Sequence, residues 1–536
     1  MKYRLLLLIL LIPNLLRSEG SDEVWRDLPN HTTYLYLCND LGGHCSWLGT
    51  RSNFAVYGCD PDERLYFSIE DPGEVVYMGF RGDMVTNGDR IVFRIRNSLG
   101  TVVYAETDLP TAGQGYIPTI GEARVGPFQV NGAGGYDALQ FSPGAAGIYY
   151  IEFSLVDNAT GNRVNDVFYM ELFDKTVYDP IATEEKKGRL YSKSWQFYDG
   201  ETPGWGQSWD VNSSTFYIYS SDSIITSVTY DEMEGRAWLM FCNNYGCQNT
   251  GNFVVDRMSL NNQQAVVPEY NIFVNIPDTN IFPPASTTGQ IDTAWAEAFC
   301  DGSKIFHVTV DKAGNLQILL DLAAPYVDVL LESAITIGEN LIYWTGLDGL
   351  GNPVPNNTSI SVTMTYINGL TNLPLYDIEE NLNGFSIELI TPTGPTPLVY
   401  WDDSNIGGGT VNFAGCNSTP PLPGCHPFDY GNEHTINTWW YSAATTTAPV
   451  TIVEERGPDL LLFNQPQQSY CAGEYGVYIS VTPDPNTETY VFSYTGTGAT
   501  IFQADPTDNF VTIDFALGAT PGNIEVYGTN TNCGDG

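Results

Sequence analysis

Short runs of alternating apolar and polar residues, separated by clusters of Gly, Pro, Asn and Asp, fill almost the whole chain. The stretch Ile91-Val92-Phe93-Arg94-Ile95-Arg96 alternates well enough to put one face in a core and the other in water. Ser359-Ile360-Ser361-Val362-Thr363-Met364-Thr365-Tyr366 alternates strictly, with Ile, Val, Met and Tyr on one face. Further strand-like runs cover 75–80, 102–106, 148–156, 167–173, 216–219, 224–230, 237–241, 253–257, 327–331, 341–344 and 385–390. Turn signals such as Asn87-Gly88-Asp89 and Ala159-Thr160-Gly161-Asn162 separate them. Residues 306–310 and 316–320 flank Asp311-Lys312-Ala313-Gly314-Asn315 and predict a hairpin. Helical periodicity never extends beyond a few turns. The pattern predicts an all-β protein of antiparallel β-sandwiches in series.

At 536 residues the chain exceeds what one core can serve. Residues 181–188 carry charge and little bulk, and 277–289 contain Pro283-Pro284; both read as linkers. The expected order is a leader over 1–20, a Cys-bearing segment with a sandwich over 21–180, a second sandwich over 189–280, a third region over 290–455 and a last domain over 458–536. The leader reading rests on Lys2 and Arg4, the apolar run 5–16 and small Ser18 and Gly20 near a plausible cut. That run is short for a permanent span, and no other segment approaches transmembrane length.

Composition narrows the partners. With 22 basic against 63 acidic residues, the formal charge is −41, a field that repels nucleic acid and anionic lipid. Aromatic residues at 13% argue against disorder. All ten cysteines lie beyond the leader, as in an oxidising, extracellular setting. Cys242 and Cys247, and Cys416 and Cys425, are close enough to clip single loops. Cys471 and Cys533 bracket the last segment and would close it. The pairing of Cys38, Cys45, Cys59 and Cys300 stays open.

Two stretches resemble known modules. Ile342-Tyr343-Trp344-Thr345-Gly346-Leu347-Asp348-Gly349-Leu350-Gly351-Asn352-Pro353-Val354-Pro355, followed by the Ser359 strand, resembles the Ig-like domain of flagellar hook-capping proteins. Here Asn356-Asn357-Thr358 replaces the usual Gly-Thr-Tyr. Tyr366-Ile367-Asn368-Gly369, Tyr400-Trp401-Asp402-Asp403-Ser404 and Asn437-Thr438-Trp439-Trp440 are similar to large surface proteins of gliding Bacteroidota, many of them exported by the type IX system. Residues 458–536 resemble a PKD-like Ig domain of those proteins, with Tyr470-Cys471-Ala472-Gly473 opening it and Asn532-Cys533-Gly534 near its end; a further strand is expected beyond it. The resemblance implies Ig-like sandwiches, a cell-surface location and an adhesin-like role in attachment or gliding. It supplies no catalytic residues.

Candidate chemistry is sparse. No G-x-S-x-G, H-E-x-x-H, P-loop or Rossmann pattern occurs, and the five histidines, 31, 44, 307, 426 and 434, are scattered. The expectation is a protein that is not an enzyme. Cys416, Cys425, His426 and His434 have loose metal spacing, which competes with a Cys416–Cys425 loop clip. Asp402, Asp403 and Asn405 could set oxygens around one structural Ca²⁺, the only cofactor expected, as could Asp60, Asp62 and Glu63; the competing reading is a solvated acidic turn. Trp195, Tyr198, Trp205 and Trp209 form the candidate glycan-binding set, with Asp199 and Asp210 accepting from hydroxyls; the competing reading is that these rings fill a core. Trp439-Trp440-Tyr441 poses the same choice, with one ring expected in the core and its neighbour partly exposed. The expected partners are surface glycans or other surface proteins. The runner-up function is the glycan-binding module of a polysaccharide-acting protein, and a hydrolase would need carboxylates gathered from distant strands.

Overall fold

The computed structural model describes residues 19–24, 33–39, 53–84, 89–199, 211–262, 266–417, 424–465 and 468–535. The architecture is all-β and antiparallel, and the helices among the described residues are single short turns such as Ile120–Val125, capped by Thr119. Residues 253–257, expected as a strand, form one of them. Asn252 accepts from Val255 N at the start of Phe253–Asp256, and the Asp256 carboxylate accepts from Thr250, a local capping arrangement that outweighs β-branched propensity.

The chain divides into two compact units. The first comprises 1–288 and 368–443, and the second 289–367 and 444–536. The expected order of separate domains is corrected by strand pairing. In the first unit, Thr33–Cys38 pairs with Val167–Asp179 on one side and Ser194–Asp199 on the other. Leu65–Ile69 likewise joins Gly147–Asp157 to Leu190–Ser192. The expected joint at 181–188 therefore lies inside the unit: Glu184–Lys186 adds to Val167–Asp179, and Arg189 is fully buried. Residues 368–443, expected in the third region, return to the same unit. Thr371–Tyr376 pairs with Ala237–Phe241 and Thr435–Trp440, and Phe385–Thr391 pairs with Ile225–Tyr230. The result is an 11-stranded sheet facing a 9-stranded one.

Between these sheets lies an aromatic core. Phe80 of the first sheet meets Phe93 and Phe153 of the second, Trp195 meets Phe216, and Trp238 meets Tyr230. The larger sheet is also buried on its other face, where Tyr34, Tyr36, Tyr169 and Tyr198 form a layer. Charge is buried with it. The Arg189 guanidinium meets Glu74 at 2.6 Å, Glu70 at 2.9 Å and Asp278 at 2.8 Å, and Lys175 meets Glu19 at 2.8 Å. Glu19 and Gly20, expected within the leader, thus belong to the folded unit. Glu19 Oε1 accepts from the Arg189 backbone N–H, and Gly20 pairs with Asp174. Gly20 passes so close to the strand that a Cβ there would lie 2.2 Å from the Phe173 carbonyl oxygen.

The second unit holds two small sandwiches. Ile291–Ala298, Lys304–Val310 and Gly338–Trp344 form one sheet, and Val329–Ile335, Gly314–Leu322 and Ser359–Asn368 lead the opposing one. Phe306, Val308, Leu316, Ile318, Ile360 and Val362 fill the space between them. The expected hairpin over 306–320 is instead a crossover. Lys304–Val310 pairs with Ile291–Ala298 and Gly338–Trp344, whereas Gly314–Leu322 pairs with Val329–Ile335 and Ser359–Asn368. Both runs point their apolar residues inward, so they meet across the core rather than edge to edge. Trp344 closes this sandwich, its indole N–H donating to the Leu347 carbonyl, while Asp348 accepts from Leu350 N and Asn352 N in the turn. Lys304 and Glu454 form a buried pair at 2.7 Å. Residues 477–535 form a thinner sandwich of two three-stranded sheets.

Two disulfides join cysteines that are both among the described residues. Cys416–Cys425 forms the expected clip. Cys533 bonds to Cys300, not to Cys471, which is free and exposed. The cause is local: Gly457 N donates to the Cys300 carbonyl and packs beside Cys533, which brings those two cysteines together. Cys242 and Cys247 are buried free thiols, and their turn is closed by the Asn243 side chain accepting from Tyr245 N and Gly246 N. Cys38 is disulfide-bonded and Cys59 is a buried free thiol.

Candidate functional site

The candidate glycan set is not assembled on a surface. Trp195 has no exposure; its indole N–H donates to the Ile272 carbonyl at 3.0 Å, and its ring lies parallel to Phe197. Tyr198 is buried between Tyr34 and Tyr169. Asp199, expected to accept from sugar hydroxyls, accepts from Thr33 and from the Trp238 indole N–H. The reason is placement: Ser194–Asp199 is a central strand with both faces covered. Trp205, Trp209 and Asp210 lie outside the described residues. Trp440 is fully buried and Trp439 nearly so, which leaves Tyr441 as the half-buried member of that triplet.

The candidate Ca²⁺ set is also dispersed. Asp402 accepts from Ser404 N and Oγ, Asn405 is exposed, and the Asp403 carboxylate is occupied by protein donors. Asp403 accepts from Ser259 Oγ and from Tyr430 OH at 2.8 Å, and it meets His426 Nε2 at 2.6 Å. Asp62 meets Lys193 at 3.4 Å, and Glu63 points into the interior. Among the described residues no three His, Cys, Asp or Glu side chains are grouped to hold a metal. His434 bonds the Asn261 carbonyl, and the cysteines beside His426 are oxidised to a disulfide.

The Asp403–His426 pair is a cluster that sequence spacing did not reveal. His426 Nδ1 meets Thr438 Oγ1 at 2.7 Å, and its ring stacks on Trp401 at 4.7 Å. Both ring nitrogens are engaged and neither residue is exposed, so the pair rigidifies the core rather than meeting a substrate. Nearby, burial pushes Glu379 up to about 7, with the Asp377 charge adding to it; Glu379 accepts from Arg236 N and Asp377 from Glu433 N.

Exposed chemistry concentrates on the second unit. In Ile291–Ala298 the usual alternation is inverted: Ala294, Ala296 and Ala298 share the inward-facing register with Val308, Phe306 and Lys304, while Trp295 points outward and is 53% exposed. Three strands in register build a grid on that outer face. Its middle row is Trp295, His307 and Leu341, flanked by Thr293, Thr309 and Glu339 on one side and by Glu297, Ile305 and Tyr343 on the other. Trp295 stacks on His307 with centroids 3.8 Å apart, and His307 Nδ1 meets Glu339 at 2.8 Å. Leu341 and Tyr343 are both more than half exposed. A sequence signal existed in Ala294-Trp295-Ala296-Glu297-Ala298-Phe299, but hydrophobicity alone assigns the Trp to the core. The register with Phe306 and Val308 turns it outward.

A cleft of about 870 Å³ opens between the layers of the thinner sandwich over 477–535. Phe463, Tyr470, Tyr494 and Phe515 line it, with Gln465 and Asn523 at polar positions. No protein-family model, curated protein or solved structure matches the chain.

Proposed function

We propose that this chain is a non-catalytic, adhesin-like extracellular protein that presents exposed aromatic sheet faces to a surface partner. The observation that carries this reading is the contrast in placement of its chemistry: the Asp403–His426 pair is sealed in the core, while Trp295, Leu341 and Tyr343 stand in water. Exposed aromatic and aliphatic side chains clustered on a strongly acidic sandwich support an interaction site. The disulfides support an extracellular setting, and no helix among the described residues is long and apolar enough to cross a membrane. The likeness of the stretches after the Trp344 turn, Tyr366-Ile367-Asn368-Gly369 onward, to surface proteins of gliding Bacteroidota supports attachment or gliding as the setting.

The glycan-binding reading is favoured as the form of attachment by Trp295 itself, an indole beside carboxylates on an accessible strand. The test is adhesion of protein-coated beads to cellulose, chitin, agarose and mannan films, with reducing ends assayed in the same wells. Adhesion without sugar release is expected. Release of reducing ends, or no adhesion to any film, overturns the proposal.

A further inference from the structure

The grid around Trp295 defines its ligand more narrowly than attachment in general. We propose that the outer face of Ile291–Ala298, Lys304–Val310 and Gly338–Trp344 binds an uncharged hexopyranose, stacked on Trp295 and hydrogen-bonded to Glu297 and Glu339. This inference rests on the adhesin reading and assigns its site.

The indole comes first. One side of the Trp295 ring is taken by the parallel imidazole of His307, which fixes the ring's orientation, and the residue is still 53% exposed. A flat, fixed, accessible ring suits the apolar C–H face of a pyranose. His307 is held in turn: Nδ1 lies 2.8 Å from Glu339, and Nε2 lies 3.6 Å from Glu297. Both carboxylates stay about half exposed and retain oxygens to accept from sugar hydroxyls. Thr293 and Thr309 add hydroxyls in the adjoining row.

Charge decides against other ligands. None of the nine grid positions is Lys or Arg, and the basic residue on these strands, Lys304, is buried against Glu454. An anionic sugar, a phosphate or an acidic peptide would meet Glu297 and Glu339 without a compensating cation. The sheet on the opposite side of this sandwich differs in kind: its outward rows carry Gln317, Glu332 and Thr365 beside exposed Leu319 and Leu330, with no aromatic ring among them. Trp295 lies on an edge strand, paired among the described residues with Lys304–Val310 alone, so an oligosaccharide can extend past the sheet.

The test is a glycan array probed with the full chain and with Trp295→Ala, followed by calorimetric titration of the best neutral oligosaccharide. Tyr343→Ala serves as a second variant in the same grid, and thermal melting establishes that each variant is folded. Binding of neutral hexopyranosides by the parent, weakened about tenfold or more by Trp295→Ala, is expected. Equal binding by parent and both variants overturns this site while leaving glycan attachment intact. A preference for anionic glycans, or no sugar binding by a chain that still adheres to surfaces, overturns the ligand class. A concentration-dependent dimer in sedimentation that Trp295→Ala dissolves, without any sugar effect, reassigns the face to a second copy of the chain.

Discussion

Two strands carry a tryptophan in an alternating pattern and end on opposite sides of the water boundary. Ser194–Asp199 lies in the middle of the eleven-stranded sheet of the first unit, and its Trp195 is wholly enclosed. Ile291–Ala298 lies at the edge of a three-stranded sheet in the second unit, and its Trp295 is half in solvent. Residue type does not separate them. Position does: a central strand between two further layers buries both its faces, whereas this edge strand tucks only Ile291 and Ala296 against a core. The first unit has consequently absorbed the aromatic and acidic groups that sequence would assign to binding, including Trp195, Tyr198, Asp199 and Asp403.

The comparison can be broken at several points. The largest effect is expected from Arg189→Ala, which leaves Glu74 and its neighbours as uncompensated buried carboxylates. A loss of about 5 kcal/mol is expected in chemical denaturation of the first unit, and a loss under 1 kcal/mol would show that the network is not engaged in solution. Next is Trp195→Ala, expected to cost about 4 kcal/mol through the cavity it opens. Trp295→Ala should stay within about 0.5 kcal/mol, so equal shifts in melting temperature for the two would erase the distinction. Cys300→Ser should remove about 3 kcal/mol from the second unit and leave the first unit's transition in place, as followed by calorimetry.

A smaller effect concerns pH. Burial raises Asp174 to about 8 and Glu379 to about 7, both in the first unit, from ordinary values near 4. A raised folded-state value means that the native state binds protons more tightly than the unfolded chain. The stabilisation is present below about pH 4 and is lost as pH rises through 7 and 8. The first unit's melting temperature should therefore fall by several degrees between pH 5 and pH 8.5, and Asp174→Asn should flatten that slope.

Much of the fold was written in local pattern. Ile360, Val362, Met364 and Tyr366 all point inward as alternation requires, and the Trp344 turn closes its sandwich. The Cys416–Cys425 clip follows from loop length. What stayed hidden is non-local. Strand periodicity says which residues share a face but not which strand lies alongside, so the return of 368–443 to the first unit and the crossover over 306–320 had no signature. Helix Phe253–Asp256 was masked because Phe253, Val254 and Val255 favour strands unless a cap intervenes. The Trp295 grid was hidden by the same limit: its alanines become the inward set only once Lys304–Val310 supplies Phe306 and Val308.

The interleaving of the units sets a timetable for the chain as it is made. Thr371–Tyr376 and Thr435–Trp440 complete the larger sheet of the first unit, so strands synthesised hundreds of residues earlier wait with an open edge until residue 440 has emerged. Glu19 finds its partner Lys175 and the Arg189 backbone only after more than 150 further residues have been made. Until then the largest hydrophobic interior of the chain stays unsealed. The yield of folded protein should respond to whatever shields those edges during that interval more than to final stability.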